Sequence, residues 1–549
     1  MIALNLSNHF GFLLFSPKHN MEPGHHRSPA TVRESPETIS KGEAMLETPT
    51  KTKSKITDKF MSFVDGAFVD IAGADCEDNI NPADGSSIGK TYLMTTEQAE
   101  AAIQSAVKAF EGWRATPAPK RAKVFAQFQR ILEDRKQELA EALTAEEGKR
   151  LPEALGEVQK AINIVEFMVG EGRRFGGRTI PSEMENTLAY TVRQPLGTVG
   201  LITPWNFPVA IPVWKIVPAL IAGNTAIFKP ASNTTKTACM LVEMMHDAGL
   251  PPGVLQLTIG RGSTVGDLIV NHPKIAALSF TGSNQVGQRL YSDGAKRGIK
   301  VQCEMGGKNP IVVLDDADVD LAVEATAQGA FGSTGQRCTA TSRAIVTEGV
   351  ADEFVRKLVE RAKKIRMGDG MDSQTDMGPI VDEWQMSSVV EGVDKAKSDS
   401  ACGELLLGGS RATEAPLDKG FFFPPTIFDK VKPDSFLAQE ELFGPVLAVI
   451  RVKDFEEAIK AANNVAYGLS SSVYTNDSNL VFRFLDLIET GITHVNSPTM
   501  GGEAQLPFGG IKATGVGARE MGTEGVEFFT ELKTVYIDYT GKKREGNIY

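Results

Sequence analysis

Residues 197–230 read GTVGLITPWNFPVAIPVWKIVPALIAGNTAIFKP. TVGLITP (198–204) has the length and composition of a strand, the apolar stretch near Val213–Ala222 has the length of a helix, and TAIFKP (225–230) is again a strand. The alternation continues through a helix over Thr235–Ala248, a strand VLQLTIG (254–260), a helix over Ser263–Asn271, a strand ALSFTGS (277–283) and a helix from Asn284. Strand and helix alternating at this pitch predict a parallel, doubly wound α/β sheet. Ligands of such sheets bind beyond the C-terminal strand ends, where the free N–H groups of helix N-termini face anions.

Upstream, residues 94–170 carry helical periodicity, with helices expected over Thr96–Trp113 and Ala118–Gly148. FGGRTIP (175–181) and LAYTVRQPLGTVGLI (188–202) read as strands separated by turns. Downstream, a second alternating region runs from IVVLDDAD (311–318) to about residue 515 and contains strands at Arg343–Thr347, Val446–Val452 and Leu469–Tyr474. A final strand, Thr534–Tyr539, leads into a polar tail. From residue 58 onward there is no internal repeat and no long linker.

Bulk properties remove several function classes. The chain has 549 residues and a formal net charge of -11, with no basic stripe, so nucleic acid and anionic membrane are not expected partners. No apolar run is long enough to span a bilayer. The histidines lack metal-site spacing, and the one adjacent pair, His25 and His26, lies in a polar N-terminal stretch, so no metal is expected. The five cysteines, Cys76, Cys239, Cys303, Cys338 and Cys402, are scattered and read as reduced thiols of a cytoplasmic protein. Residues 21–57 are rich in Pro, Ser, Thr, Glu and Lys. Residues 1–57 are therefore expected to be a disordered extension, for which Met21 and Met45 are alternative start points.

Single residues are ambiguous until they are combined. Cys338, in FGSTGQRCTATSR, has the small neighbours of an accessible nucleophile, and equally those of a structural cysteine. Glu304, ending an apolar strand before Gly-Gly, suits a general base or a surface turn; Cys303 should point to the opposite face, into the core. Asn206, in ITPWNFP, is an oxyanion donor or a turn asparagine, and Lys229, in IFKPAS, binds ribose or phosphate or is an exposed lysine. GRGSTVG (260–266) and FTGSNQVG (280–287) each open a helix after a strand, though neither fits GxGxxG.

In order, ITPWNFP, IFKPAS, FTGS, EMGGKNP, GQRC, EELFGPV and PFGG resemble the aldehyde dehydrogenase superfamily over about residues 60–540. The resemblance implies oxidation of an aldehyde to a carboxylic acid with NAD or NADP as hydride acceptor. Cys338 would add to the carbonyl, Asn206 and the Cys338 N–H would hold the oxyanion, and Glu304 would activate the water that hydrolyses the thioester. Lys229 would bind the adenosine ribose, Ser283 would face the pyrophosphate, Glu441 would hold the nicotinamide ribose, and Phe443 would pack near the nicotinamide. Thr203, Pro204, Trp205, Pro230, Gly262, Gly266, Phe280 and Gly282 would complete the cofactor groove.

The implied architecture is α/β, with two doubly wound domains and a β oligomerisation arm. A cofactor domain would comprise 58–176 and 196–306, a catalytic domain 307–520, and an arm 177–195 and 521–549, giving a homodimer or homotetramer. One departure concerns the cofactor: Ser232 stands where many NAD-specific relatives carry a Glu that would repel a 2′-phosphate, so NADP should be accepted. A second hint concerns the substrate. GQRC occurs often among semialdehyde dehydrogenases, where the arginine, here Arg337, meets the far carboxylate, and Gly501 and Gly502 of the loop SPTMGGEA (497–504) would add N–H groups. In the same loop Glu503 has the wrong charge if it points inward, and Arg337 is otherwise an ion-pair partner. The alternatives are a broad-specificity aldehyde dehydrogenase, a coenzyme A-acylating relative and a non-catalytic protein of this fold; retention of Cys338, Glu304 and Asn206 disfavours the last two.

Overall fold

The expected parallel sheet is present in a computed structural model that describes residues 53–69 and 74–543. Its five central strands lie in the order Lys300–Glu304, Ile275–Thr281, Thr198–Ile202, Thr225–Lys229, Leu255–Leu257, all parallel. Short antiparallel strands, Gly515–Val516 and Phe63–Val64, flank the two ends. The chain begins the parallel part of this sheet at Thr198–Ile202, winds outward to Leu255–Leu257, then returns to the other side with Ile275–Thr281. The direction of winding therefore reverses between Thr198–Ile202 and Ile275–Thr281, and a crevice opens at their C-terminal ends.

A second, seven-stranded sheet is mostly parallel, in the order Glu404–Leu407, Thr426–Asp429, Val446–Val452, Thr341–Thr347, Asn309–Val313, Ser470–Tyr474, Ile492–Val495. Only Glu404–Leu407 pairs antiparallel. Residues 305–308 carry the chain from the end of Glu304 straight into Asn309, so the C-terminal edge of one sheet meets the N-terminal edge of the other. Both sheets are buried, with helices such as the wholly buried Ala210–Ala222 covering them. Cys303 sits at 0% exposure in an apolar cluster while Glu304, the next residue along the strand, turns the other way.

The helix expected over Ala118–Gly148 is two helices, Ala118–Asp134 and Lys136–Glu147. Arg135 breaks it with φ -105° and ψ 13°, its guanidinium held by Glu138 at 2.8 Å and Glu243 at 3.1 Å. Long-range ion pairing overrides the continuous helical pattern there. The last strand is Thr530–Asp538, earlier and longer than expected, and it pairs antiparallel with Thr187–Pro195 over their full length. Residues 1–52 of the expected extension lie outside the described residues, whereas Ser54 and Lys55 already hydrogen-bond Glu138 and Glu243.

Candidate active site

Cys338 lies in the connection between the Val319–Phe331 helix and the Thr341–Thr347 strand. Ser333, Thr334 and Gly335 all have positive φ (46°, 57° and 68°), a left-handed turn that lifts the chain out of the helix. Glycine is required at 335, since a Cβ there would collide with the Gly444 carbonyl. Asn309 Nδ2 donates to the carbonyls of Cys338 and Ala340, both at 2.8 Å, and fixes the turn to the edge of the second sheet. The thiol is partly exposed. Burial pushes it up to about 12, with Glu441 and Glu304 adding to the rise and Lys160 opposing it.

A cavity of about 250 Å³ reaches Cys338 from the crevice between the two central strands. Pro204, Trp205 and Asn206 line it from one strand end, Thr281, Gly282 and Ser283 from the other, and Glu441 and Phe443 from the second sheet. Asn206 is buried; one amide N–H goes to the Gln336 carbonyl at 3.0 Å, which leaves the second, and its Oδ1 has no partner. Trp205 and Phe443 meet edge to face at 5.4 Å between centroids.

Glu304 is buried at the end of its strand, with one carboxylate oxygen accepting from Gly510 N at 3.0 Å. Burial first, and the charge of Glu520 second, push its carboxyl well above the usual range. Glu520 in turn is paired with Lys215, whose ammonium also donates to Ser279 at 2.8 Å. The sequence reading missed this Lys215–Glu520 pair. A lone lysine in the otherwise apolar run VWKIV was the available signal.

Glu441 accepts from Gly307 N at 2.9 Å, and burial pushes its carboxyl up to about 7. Gly306 is the close approach here, because a Cβ would overlap the Glu441 carboxylate. Ser283 precedes the Asn284–Lys296 helix, makes no side-chain cap bond and lines the cavity, which puts the start of that helix at the cavity wall. Phe280 is buried behind it, with its ring against Gly282.

Lys229, Ser232, Gly262 and Gly266 lie outside the lining of this cavity. Lys229 is buried and, among the described residues, has no carboxylate partner and one hydrogen bond, to the Pro230 carbonyl at 3.1 Å; burial pushes it down to about 8. A Cβ on Gly266 would stand 3.8 Å from the Lys229 side chain, and Gly262 begins the turn that contains Gly266. Ser232 is exposed. The hydroxyls of Thr203 and Thr281 are buried and unpaired at the two strand ends. An uncompensated lysine, two unpaired hydroxyls and a free helix N-terminus along one crevice fit a dinucleotide.

Arg337, next to Cys338, is committed to Glu153 at 3.0 Å and to Ser333 at 2.8 Å and 3.0 Å, with its remaining arm against Met500 Sδ. Gly501 and Gly502 are exposed, and Gly502 lines a larger cleft of about 810 Å³ beside the Leu151–Glu171 helix. Glu503 also lines that cleft and is exposed, bonded to Gln505. Among the described residues no group of three or more His, Cys, Asp or Glu side chains is arranged to hold a metal ion, and no helix is long and apolar enough to cross a membrane.

A family profile described as "Aldehyde dehydrogenase family" matches residues 68–535. The chain is 42% identical to alpha-ketoglutaric semialdehyde dehydrogenase of Bacillus subtilis over 87% of this chain and 98% of that one. It is 44% identical to 2,5-dioxopentanoate dehydrogenase of Saccharolobus solfataricus, covering 83% and 95%. A crystal structure of betaine aldehyde dehydrogenase from Staphylococcus aureus in complex with NAD+ superposes with a TM-score of 0.86 at 33% identity, covering 88% of this chain and 96% of that one. With the profile spanning both sheets and every motif around Cys338, the chain belongs to the aldehyde dehydrogenase family.

Proposed function

We propose that the protein oxidises a short, carboxylate-bearing semialdehyde, with 2-oxoglutaric semialdehyde the first candidate, to the corresponding dicarboxylic acid through a thioester on Cys338. The carrying observation is the convergence of Cys338, the Asn206 amide and Glu441 on one cavity at the sheet's switch point, with Glu304 close enough to act on the thiol electrostatically. The two relatives named for that five-carbon substrate direct the choice of aldehyde.

Cys338 Sγ, as thiolate, adds to the aldehyde carbon and leaves an alkoxide. The remaining Asn206 N–H and the Cys338 backbone N–H donate to it, and one such donor is worth roughly 3–4 kcal/mol. A nicotinamide dinucleotide bound in the crevice supplies the hydride acceptor. After oxidation the acyl group stays on Sγ as a thioester. Glu304 takes a proton from the water that attacks the acyl carbon, and the freed thiolate leaves. The neighbouring Glu520 charge, itself paired with Lys215, keeps Glu304 basic enough to accept that proton.

Along the cofactor groove, Lys229 offers N–H groups to the adenosine ribose, Ser283 and its helix N-terminus meet the pyrophosphate, and Glu441 holds the nicotinamide ribose. Ser232 leaves room for a 2′-phosphate, so NADP is used as well as NAD. In Ser232→Glu, kcat/KM with NADP is expected to fall at least about tenfold with little change for NAD, because the new carboxylate repels the phosphate dianion. Wild-type turnover with NADP about a thousandfold below that with NAD would overturn this reading.

Among the described residues Thr530–Asp538 is an end strand of its three-stranded sheet, and Leu532, Tyr536 and Ile537 on it are exposed. Such an edge fits a homodimer or homotetramer built through this arm, with a sedimentation mass at a multiple of the chain mass. The function itself is tested by following reduced nicotinamide absorbance with succinic, glutaric and 2-oxoglutaric semialdehydes, pentanal, benzaldehyde and betaine aldehyde. Turnover led by the semialdehydes is expected. Turnover confined to the uncharged aldehydes or to betaine aldehyde contradicts the substrate reading.

A further inference from the structure

A cleft of about 810 Å³ lies beside the Leu151–Glu171 helix, outside the cofactor groove. Its walls are Gly156, Lys160, Asn163 and Glu166 on the helix and Gly502–Gln505 on the facing loop. Lys160 differs from every other cation there. Among the described residues it has no hydrogen bond and no ion pair; its ammonium stands 5.1 Å from the Trp214 ring centroid and 5.7 Å from that of Phe508, both buried. Aromatic faces tolerate a cation without neutralising it. Gly502 borders the ammonium: a Cβ there would stand in ordinary contact, 3.5 Å from Nζ.

The nearby carboxylates are already spent. Glu157, one helical turn before Lys160, binds Lys149 at 2.6 Å and accepts Val209 N and Ala210 N at the start of the Ala210–Ala222 helix. Glu153 is taken by Arg337. Arg174, also on the cleft, is taken by Glu171 at 2.7 Å. Glu166 and Glu503 are exposed, and Glu166 lies six residues, or roughly 9 Å, further along the helix. Burial pushes the Lys160 ammonium below the ordinary lysine range, with Cys338 and the already paired Glu157 opposing the shift and Arg337 adding to it, and Lys160 in turn acts electrostatically on Cys338. One uncompensated ammonium, held in an aromatic corner between an open cleft and the nucleophile, is a binding point for an anion on a molecule whose other end reaches the thiol.

We propose that Lys160 is the specificity-determining residue that binds the far carboxylate of the semialdehyde, while Arg337, neutralised by Glu153, serves to position the Cys338 turn. The proposal rests on the semialdehyde reading above.

The test compares KM and kcat for 2-oxoglutaric semialdehyde and pentanal in wild type, Lys160→Met, Lys160→Arg and Arg337→Met, with thermal melting of each. Loss of a charge-assisted bond predicts a KM for the semialdehyde about 10- to 100-fold higher in Lys160→Met, with the KM for pentanal moving less than about threefold. Any fall in kcat should be shared by both substrates, because it comes from losing a cation near the thiol. Lys160→Arg should restore most of the semialdehyde KM. If both KM values move together in Lys160→Met, or if the split occurs in Arg337→Met instead, Lys160 is not the reader. If wild type itself does not prefer the semialdehyde to pentanal, the substrate reading fails, and the assignment of Lys160 with it.

Discussion

Cys338→Ala is expected to lower aldehyde oxidation by at least about 10⁴-fold while leaving thermal melting and dinucleotide binding close to wild type. The reason lies in the division of labour around the residue. Asn309 holds the Cys338 carbonyl, Gly335 satisfies the tight turn, and the cofactor groove is built from other elements, so removing the sulfur removes the nucleophile and little else. No second thiol can substitute: Cys239, Cys303 and Cys402 are buried, and Cys76 is exposed on a distant strand of another sheet. The loss of a nucleophile that forms a covalent intermediate commonly removes several orders of magnitude. The same chemistry sets a pH trend. With the thiol pushed up to about 12, only a small thiolate fraction exists near neutrality, so alkylation by iodoacetamide should climb steadily between about pH 6 and 9. Alkylation that levels off below about pH 7 would show a thiol far more acidic than this environment provides.

Glu304→Gln is the second large effect. Steady-state turnover should fall by about 10²- to 10⁴-fold, the usual worth of a positioned general base. Acylation does not need the base in the same way, so the variant should still release a burst of reduced cofactor approaching one per active site. In wild type the sign of the pH dependence follows from the environment of Glu304. Burial and Glu520 raise its carboxyl well above the ordinary range, so the basic form grows as pH rises through a range higher than that of an ordinary carboxylate. Hydrolysis of the acyl-enzyme should therefore accelerate with pH through neutrality, and the glutamine variant should lose that rise. A variant with no burst and an unchanged pH profile would place Glu304 before acylation instead.

Local pattern made much of this legible. The Thr198–Ile202 and Ile275–Thr281 strands, and the helices that follow them, have apolar runs of the right lengths, and the residues at their C-terminal ends lie where a doubly wound sheet puts ligands. Asn206, Ser283, Glu304 and Cys338 were found through motifs that are contiguous in sequence. What depended on distant pairing was not legible. The break at Arg135 is imposed by Glu243, more than a hundred residues away. The sequence leaves Arg337 open between reading a carboxylate and pairing with an acid, because Glu153 sits on a helix nearly two hundred residues upstream. Lys160 occupies an unremarkable surface position in its own helix; only the folded chain brings Trp214 and Phe508 beside its ammonium and, among the described residues, no anion.

The most direct test of covalent catalysis at Cys338 is mass spectrometry of Glu304→Gln after brief mixing with NAD and 2-oxoglutaric semialdehyde. The expected result is a protein heavier by the aldehyde less two hydrogens, with the added mass on the peptide that contains Cys338. An unmodified protein after a full burst of reduced cofactor, or an adduct on any other residue, would contradict it.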